Sequence, residues 1–188
     1  PNAFQEFLDK GYRTGVGNDF NRFGPLKLFV DGSLGARTAY MREPYADDPS
    51  TRGIATLTPE EIDTLVGMAV KNNCGVAVHA IGDAAIENVL NAYDKVCENG
   101  ENPLRLGIIH VQITDRPLLE RFTKNDILAL VQPIFLHYDT AIVEDRVGKD
   151  LAATSYAFKT LMDLGVHTSY GTDSPAEDMD CLLYTSPS

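Results

Sequence analysis

The stretch VAVHAIGD at residues 76–83 decides the fold of this chain. An apolar run ends in His79, a short turn passes through Gly82, and Asp83 begins a segment with helical periodicity. In a β/α barrel, the carboxyl ends of the strands meet at one mouth, where active sites form. A histidine at such an end is a candidate metal ligand, and a metal site would need further polar residues at equivalent places.

Strand and helix patterns alternate strictly along the chain. Mostly continuous apolar runs predict strands, and such runs are typical of a parallel sheet covered by helices. Five strands with short connections into the following helix fit part of a (β/α)8 barrel, and an open doubly wound sheet is the alternative. The sequence therefore predicts an α/β fold with strands over residues 26–30, 76–79, 104–110, 127–131 and 166–170.

Local signals predict where several helices and loops begin. Thr58 is placed to cap a helix through a capping box, and Asp83 is predicted to cap the next one. Residues 31–57, rich in Pro, Asp, Gly and Arg, predict a long loop, and loops of that length are usually functional or disordered. His137 is expected in a second loop, and residues 156–164 are expected to form a helix.

Composition argues against several classes of partner. The net charge is −11, from 27 acidic residues against 16 Lys and Arg, which disfavours nucleic acid and anionic membranes. No apolar run approaches the roughly 20 residues of a membrane-spanning helix, and the start at Pro1 lacks a signal-peptide pattern. Cys74, Cys97 and Cys181 are odd in number and contain no C-x-x-C, which predicts a reducing, cytoplasmic location.

Four residues that suit a metal site lie at or near strand ends: Lys27, His79, His110 and Asp173. Each has an ordinary structural explanation when it is considered alone. Either histidine could be a hydrogen-bonded, half-buried side chain, Asp173 a turn residue, and Lys27 a side chain that extends to solvent. Their arrival at matching ends of separate strands favours a shared site. A Lys27 of depressed pKa could also add carbon dioxide and become a carbamate ligand.

Five motifs in order carry a resemblance to a known family. They are KLFVDGSLGARTA at 27–39, HAIGD at 79–83, IHVQ at 109–112, VQP at 131–133 and GTDSP at 171–175. Together they resemble the amidohydrolase superfamily, in particular its amidohydrolase-3 branch with the YtcJ-like proteins and N-substituted formamide deformylases. The resemblance implies a metal-dependent hydrolase built on a distorted TIM barrel.

The resemblance also implies roles for individual residues. Lys27 matches the fourth-strand lysine that is often carboxylated, His79 and His110 match the fifth- and sixth-strand metal ligands, and Asp173 matches the eighth-strand aspartate that binds metal and transfers the proton. No match exists for the first-strand His-x-His pair. Residues 1–180 are thus expected to be a partial amidohydrolase barrel domain, the C-terminal portion of a (β/α)8 barrel truncated at both ends.

The implied reaction is hydrolysis of carbon–nitrogen bonds in non-peptide amides. A metal-activated water would attack a small-molecule amide, with Asp173 as general base and one or two divalent ions, zinc being expected. The parent protein is expected to be an enzyme, with homo-oligomers as one expectation, whereas the fragment itself is expected to be inactive. The alternative is a non-catalytic barrel remnant that binds a ligand or partner, because the first-strand ligands are missing.

Three residues are candidates for substrate binding: Arg37, Tyr40 and Gln112. Arg37 lies within the first motif, in the long loop after Lys27, and could pair with a carboxylate or hold a carbonyl. A surface or helix-packing role is an equally good explanation of this arginine.

The last eight residues, CLLYTSPS at 181–188, follow no structural pattern. The codons TGT CTC TTA TAC ACA TCT CCG AGC would encode them, and this string reads like a transposase adapter from sequencing libraries. Our hypothesis is that residues 181–188 are a non-native, adapter-derived tail and that the native sequence stops near Asp180. A native polar tail is the alternative, and resequencing the locus decides between them.

Overall fold

The computed structural model describes residues 2–97 and 99–174. Over these residues the chain forms an α/β structure with five strands and eight helices. The bounds are α1 Asn2–Asp9, β1 Leu26–Phe29, α2 Pro59–Lys71, β2 Val76–Ala80, α3 Asp83–Asp94, β3 Gly107–His110, α4 Arg116–Lys124, β4 Leu128–Val131, α5 Ile134–Asp139, α6 Val143–Val147, α7 Lys149–Ala152, α8 Phe158–Asp163 and β5 Thr168–Tyr170.

The strand order distinguishes between the two architectures that the sequence left open. All four strand pairs are parallel, and the order in the sheet is β1-β2-β3-β4-β5. A doubly wound sheet reverses its strand order at a switch point, whereas a barrel adds each strand beside the previous one. The uninterrupted order is therefore that of a barrel sector, and the predicted α/β class is confirmed.

One face of the sheet is covered by helices and forms the core. Helices α2 and α3 pack on β2 and on each other, and α4 packs on α3. Their buried side chains include Val66, Ile86, Leu90 and Phe122. The opposite face of β1 carries Lys27 and Phe29, and Phe29 is 57% exposed.

The predicted start of α2 is confirmed in detail. Thr58 accepts a hydrogen bond from the Glu61 backbone N–H at 3.3 Å, and the Glu61 carboxylate accepts one from the Thr58 N–H at 2.8 Å. This capping box satisfies two N–H groups that the first helical turn would otherwise leave unpaired.

The start of α3 differs from the prediction. Gly82 is the N-cap and Asp83 is the first helical residue. A Cβ at Gly82 would lie 2.1 Å from the Tyr40 carbonyl oxygen, so the loop passes too close for any side chain there. The Asp83 carboxylate instead accepts the backbone N–H groups of Arg42 and Ala84, both at 2.9 Å.

The segment after β4 also differs from the prediction. His137 was expected in a loop but lies in α5, and α6 and α7 follow before α8. These helices have four to six residues each, too few for an apolar period to be visible in the sequence. Helix α8 begins at Phe158, two residues later than expected, because Tyr156 has a left-handed backbone with φ of 51°.

The long loop at residues 31–57 is ordered by ion pairs. Arg42 reaches Glu87 of α3 at 3.0 Å and Asp115, the N-cap of α4, at 2.6 Å. Asp47 accepts hydrogen bonds from Arg37 and from Arg146 of α6. The loop is thereby held to three helices at the edge where the strands end.

No helix in residues 2–97 and 99–174 combines the length and apolar character that crossing a bilayer would require. The hypothesis on residues 181–188 concerns residues outside those that the structure describes, so it stays a prediction, as does the domain boundary at residue 180.

Candidate metal centre

A cavity of about 290 Å³ lies at the carboxyl ends of the strands. It contains three of the four predicted metal ligands, together with aromatic and acidic side chains from the segments that follow β4. The lining residues are Ser33, Leu34, Gly35, His79, Ile81, His110, Gln112, Phe135, Tyr138, Asp139 and Asp173. This is the place where barrel enzymes position their chemistry.

His79 lines this cavity, and its two ring nitrogens have different surroundings. Its Nε2 lies 2.9 Å from the Gly32 carbonyl oxygen and 3.4 Å from Asp31 Oδ1. Both neighbours are acceptors, so Nε2 carries the proton and donates to Gly32. Nδ1 then holds a lone pair, and it is buried without a hydrogen-bond partner in residues 2–97 and 99–174. Burial also lowers the pKa of His79, so the imidazole is neutral at neutral pH.

His110 reaches the same place through an unusual backbone. In the strand register it lies opposite Ala80, whereas His79 lies opposite Ile109. A regular strand would therefore turn the two histidines to opposite faces. His110 instead has φ of 80° and Val111 has φ of 52°, and the two imidazole centroids lie 4.5 Å apart. The backbone strain brings the second imidazole beside the first.

The His110 imidazole is also neutral and incompletely bonded. Burial, with smaller effects of the neighbouring His79 and Lys27, lowers its pKa to about 3 against the opposing effect of the Gln132 side chain. Its Nδ1 is buried, and no hydrogen-bond partner for it lies in the part of the chain that the structure describes.

Two adjacent neutral imidazoles with buried, unpartnered nitrogens fit a transition-metal ion such as zinc. A buried nitrogen without a hydrogen-bond partner destabilises the folded state, and a bound cation would give both Nδ1 atoms a partner. Within residues 2–97 and 99–174, no three His, Cys, Asp or Glu side chains lie close enough to hold an ion by themselves. The two histidines therefore need further ligands, and Asp173 and Lys27 are the other candidates that the sequence predicted.

Asp173 lines the cavity from the turn after β5. It is exposed, has φ of 58°, and follows the buried Thr172. Its charge raises the pKa of both Lys27 and His79, in opposition to the dominant effect of burial. The structure therefore places Asp173 at the mouth, beside the predicted ligands.

Lys27 lies on the same face of the sheet as His79, deeper along its strand. Its Nζ lies 4.4 Å from the centre of the Phe29 ring, and it does not line the cavity. Burial lowers its pKa, which increases the fraction of neutral amine.

The predicted substrate residues are placed differently from one another. Gln112 is buried in the cavity wall. Its backbone carbonyl oxygen accepts a hydrogen bond from the Tyr156 backbone N–H at 2.7 Å. Arg37 forms a two-pronged pair with Asp47 at 3.0 and 2.8 Å, outside the cavity lining. Tyr40 is also outside it, and its hydroxyl accepts a hydrogen bond from Arg52. Of the three, only Gln112 reaches the cavity.

Sequence reasoning missed Asp139 and Tyr156. Their side chains are hydrogen-bonded, and Tyr156 also approaches the Gln112 side chain at 3.4 Å. Burial raises the pKa of both groups. Tyr156 carried no sequence signal, whereas Asp139 lies in the segment directly after a strand end.

Sequence reasoning also left Asp31 without a role. It follows β1, so its place near a strand end was an available signal. Burial raises its pKa to about 6, against the opposing effect of N–H groups from Gly82, Tyr40 and Ile81.

A larger cavity of about 500 Å³ lies between α1 and β1, at the other end of the sheet. Its lining is mainly apolar, with Phe4, Phe7 and Phe23, and it includes Lys27 but no histidine or carboxylate. We therefore assign the chemistry to the smaller cavity.

The model of the amidohydrolase family matches residues 2–186. This chain belongs to the amidohydrolase family. The relative named "Putative amidohydrolase YtcJ" of Bacillus subtilis (strain 168) is 44% identical over 162 residues, which cover 86% of this chain and 30% of that protein.

Two solved structures share both fold and sequence with the chain. Both are described as uncharacterized metal-dependent hydrolases. The one from Pyrococcus furiosus has a TM-score of 0.84 at 32% identity, over 96% of this chain and 36% of that one. The one from Pyrococcus horikoshii OT3 has a TM-score of 0.84 at 34% identity, over 96% and 35%. The chain thus spans about a third of the length of these relatives.

Proposed function

We propose that the full-length protein is a metal-dependent hydrolase that cleaves carbon–nitrogen bonds of small non-peptide amides. The observation that carries this proposal is the pair of neutral, adjacent imidazoles of His79 and His110, each with a buried Nδ1 that lacks a hydrogen-bond partner among the described residues. Membership of the amidohydrolase family and the likeness to two metal-dependent hydrolases support it.

The residues of the chain have distinct roles in this reaction. His79 and His110 hold the ion, and Asp173 at the mouth takes a proton from the attacking water and returns it to the leaving nitrogen. A divalent ion, zinc in our proposal, supplies Lewis acidity that activates water at neutral pH and polarises the carbonyl. Water thus adds to the carbonyl carbon, the C–N bond breaks, and a carboxylic acid and an amine are released.

Lys27 completes the proposed ligand set after carboxylation. The neutral amine adds to carbon dioxide, an N–C bond forms, and one proton is released, which leaves a carboxylate on a long arm. The lowered pKa of Lys27 favours the neutral amine that this step needs. Its position on the face of the sheet that carries His79 is compatible with this role.

Metal analysis and turnover of the full-length protein test the proposal. We expect stoichiometric zinc and hydrolysis of N-acyl or N-formyl amines that chelation abolishes and zinc restores. His79→Ala and His110→Ala should lose the metal. His167→Ala is the matched control, because His167 is exposed and pairs with Asp126 away from the cavity.

A full-length protein without metal and without hydrolysis would overturn the proposal. That result would favour the alternative of a barrel that binds a ligand without catalysis.

A further inference from the structure

Asp31 is a fully buried carboxylate beside the candidate metal centre. It lies two residues after the end of β1, and its side chain is 0% exposed. Burial of an ionisable group is costly unless hydrogen bonds compensate for the lost water. Hydrogen-bond donors are therefore expected around the Asp31 carboxylate.

The Asp31 carboxylate oxygens accept hydrogen bonds from three backbone N–H groups. These are Tyr40 at 3.0 Å, Ile81 at 3.1 Å and Gly82 at 2.8 Å. Tyr40 belongs to the long loop, whereas Ile81 and Gly82 form the turn directly after β2. One side chain thus fixes the loop against the turn that follows His79.

The same carboxylate lies beside the His79 ring. Asp31 Oδ1 is 3.4 Å from Nε2, and the carbonyl oxygen of the next residue, Gly32, accepts a hydrogen bond from that nitrogen at 2.9 Å. Gly32 is itself held in place, since its N–H donates to the Thr38 carbonyl at 3.1 Å. A Cβ at Gly32 would lie 2.1 Å from Thr38 Oγ1, so the approach requires glycine.

The two oxygens determine where the imidazole proton lies. If Nδ1 carried it, the Nε2 lone pair would face one carbonyl oxygen and one carboxylate oxygen with no hydrogen between them. With the proton on Nε2, the ring donates to Gly32 and its positive edge faces the Asp31 charge. Nδ1 then keeps its lone pair on the side away from Asp31.

We propose that Asp31 is a positioning residue, which holds His79 with its proton on Nε2 so that Nδ1 is free to bind the metal. The proposal rests on the metal-dependent function proposed above. Carboxylates and carbonyls behind a ligating histidine fix its tautomer and orientation, and their loss weakens metal binding by about 10- to 100-fold.

Asp83 provides a matched control. Its side chain is 5% exposed and also accepts backbone N–H groups, from Arg42 and Ala84. Like Asp31, it ties the long loop to the start of α3, but it does not contact an imidazole. If Asp31 acted only by fixing the long loop, substitution of Asp83 should therefore have the same effect as substitution of Asp31.

The test compares Asp31→Asn with Asp83→Asn in the full-length protein. Zinc affinity is measured by competition with a chromophoric chelator, and the cobalt(II)-substituted forms are compared by visible spectroscopy. We expect affinity to fall about 10- to 100-fold in Asp31→Asn, with an altered cobalt spectrum, and to stay unchanged in Asp83→Asn. Equal zinc affinities and equal spectra in the two variants would overturn the positioning role.

A second measurement needs no variant at Asp31. In ¹⁵N-histidine-labelled metal-free protein, NMR shows which nitrogen of His79 carries the proton, with His79→Ala assigning the signal. We expect the proton on Nε2, and a proton on Nδ1 would overturn the proposal even if Asp31→Asn fails to fold. If the wild-type protein binds no zinc, the proposed function fails, whereas the NMR spectra of the metal-free wild type and of Asp31→Asn still show whether the proton lies on Nε2 and whether Asp31 keeps it there.

Discussion

At the scale of single residues, the two candidate metal-binding histidines are presented in different ways. His79 lies in a regular strand, whereas His110 has φ of 80° and is followed by a left-handed valine. Such backbone states cost about 1–3 kcal/mol each and persist at functional sites because the surroundings enforce them. Part of the stability of the fold is therefore given up to place the second imidazole.

This difference in backbone conformation predicts that the same substitution changes the unfolding free energy by different amounts at His79 and at His110. Asparagine tolerates a left-handed backbone, so His110→Asn should relieve strain that His79→Asn cannot. We expect His110→Asn to cost about 1 kcal/mol less than His79→Asn in unfolding free energy. Denaturant unfolding of the metal-free full-length variants measures the difference. A larger loss in His110→Asn would show that the site is not strained at this residue.

Asp173→Asn tests the proposed proton transfer. Asparagine keeps the size of the side chain but cannot take up a proton, so kcat should fall by about 10²- to 10⁴-fold. Asp173 is exposed, so the melting temperature should hardly change. Asp163→Asn is the control, because Asp163 lies on α8 in a solvent-exposed pair with Lys159. Wild-type kcat in Asp173→Asn would reject the role of this aspartate.

The residues that sequence could identify are those that end strands. His79, His110 and Asp173 could be placed together because parallel strands finish at one edge. Arg37 could not be judged, since its pairing with Asp47 depends on the course of an irregular loop. Tyr156 could not be foreseen either, because it meets Gln112 from 44 residues away.

At the scale of elements, the strength of local signals decided what could be predicted. Helix α2 has 13 residues, a capping box and a clear apolar face, and its start was predicted correctly. Helices α5, α6 and α7 have four to six residues and no side-chain cap, and they were missed. Such short helices depend on tertiary contacts, which a local sequence pattern does not contain.

The capping box predicts that a threonine-to-alanine substitution destabilises the protein at the N-cap of α2 but not inside the helix. Thr58→Ala removes the side chain that accepts the Glu61 N–H, so the unfolding free energy should fall by about 1 kcal/mol. Thr64→Ala is the matched control, because Thr64 lies inside the same helix, where alanine is the better helix former. Thermal unfolding followed by circular dichroism compares the two. Equal melting temperatures would contradict a stabilising role for the cap.

At the scale of the whole molecule, the sheet has two open edges. Among the described residues, β1 pairs only with β2 and β5 only with β4. The uncovered face of β1 carries Phe29, which is 57% exposed. Unpaired strand edges and apolar faces are sites for association between chains.

The chain produced by itself should therefore self-associate. Light scattering after size-exclusion chromatography should show species larger than the monomer, and Phe29→Ser should reduce them. Phe20→Ser is the control, because Phe20 is fully exposed on a loop away from the sheet, where a single apolar side chain is ordinary. A monomer with a cooperative melt would contradict this expectation.

The contacts that fix the long loop limit which segments can change when the substrate specificity of this protein changes. Asp31, Arg42 and Asp47 tie residues 31–57 to the β2–α3 turn and to three helices. Exchanging this loop would also exchange residue 31, whose carboxylate lies behind His79. New specificities are therefore more easily obtained by grafting the segment of α5 to α7, which contributes Phe135, Tyr138 and Asp139 to the cavity and supplies none of the candidate metal ligands.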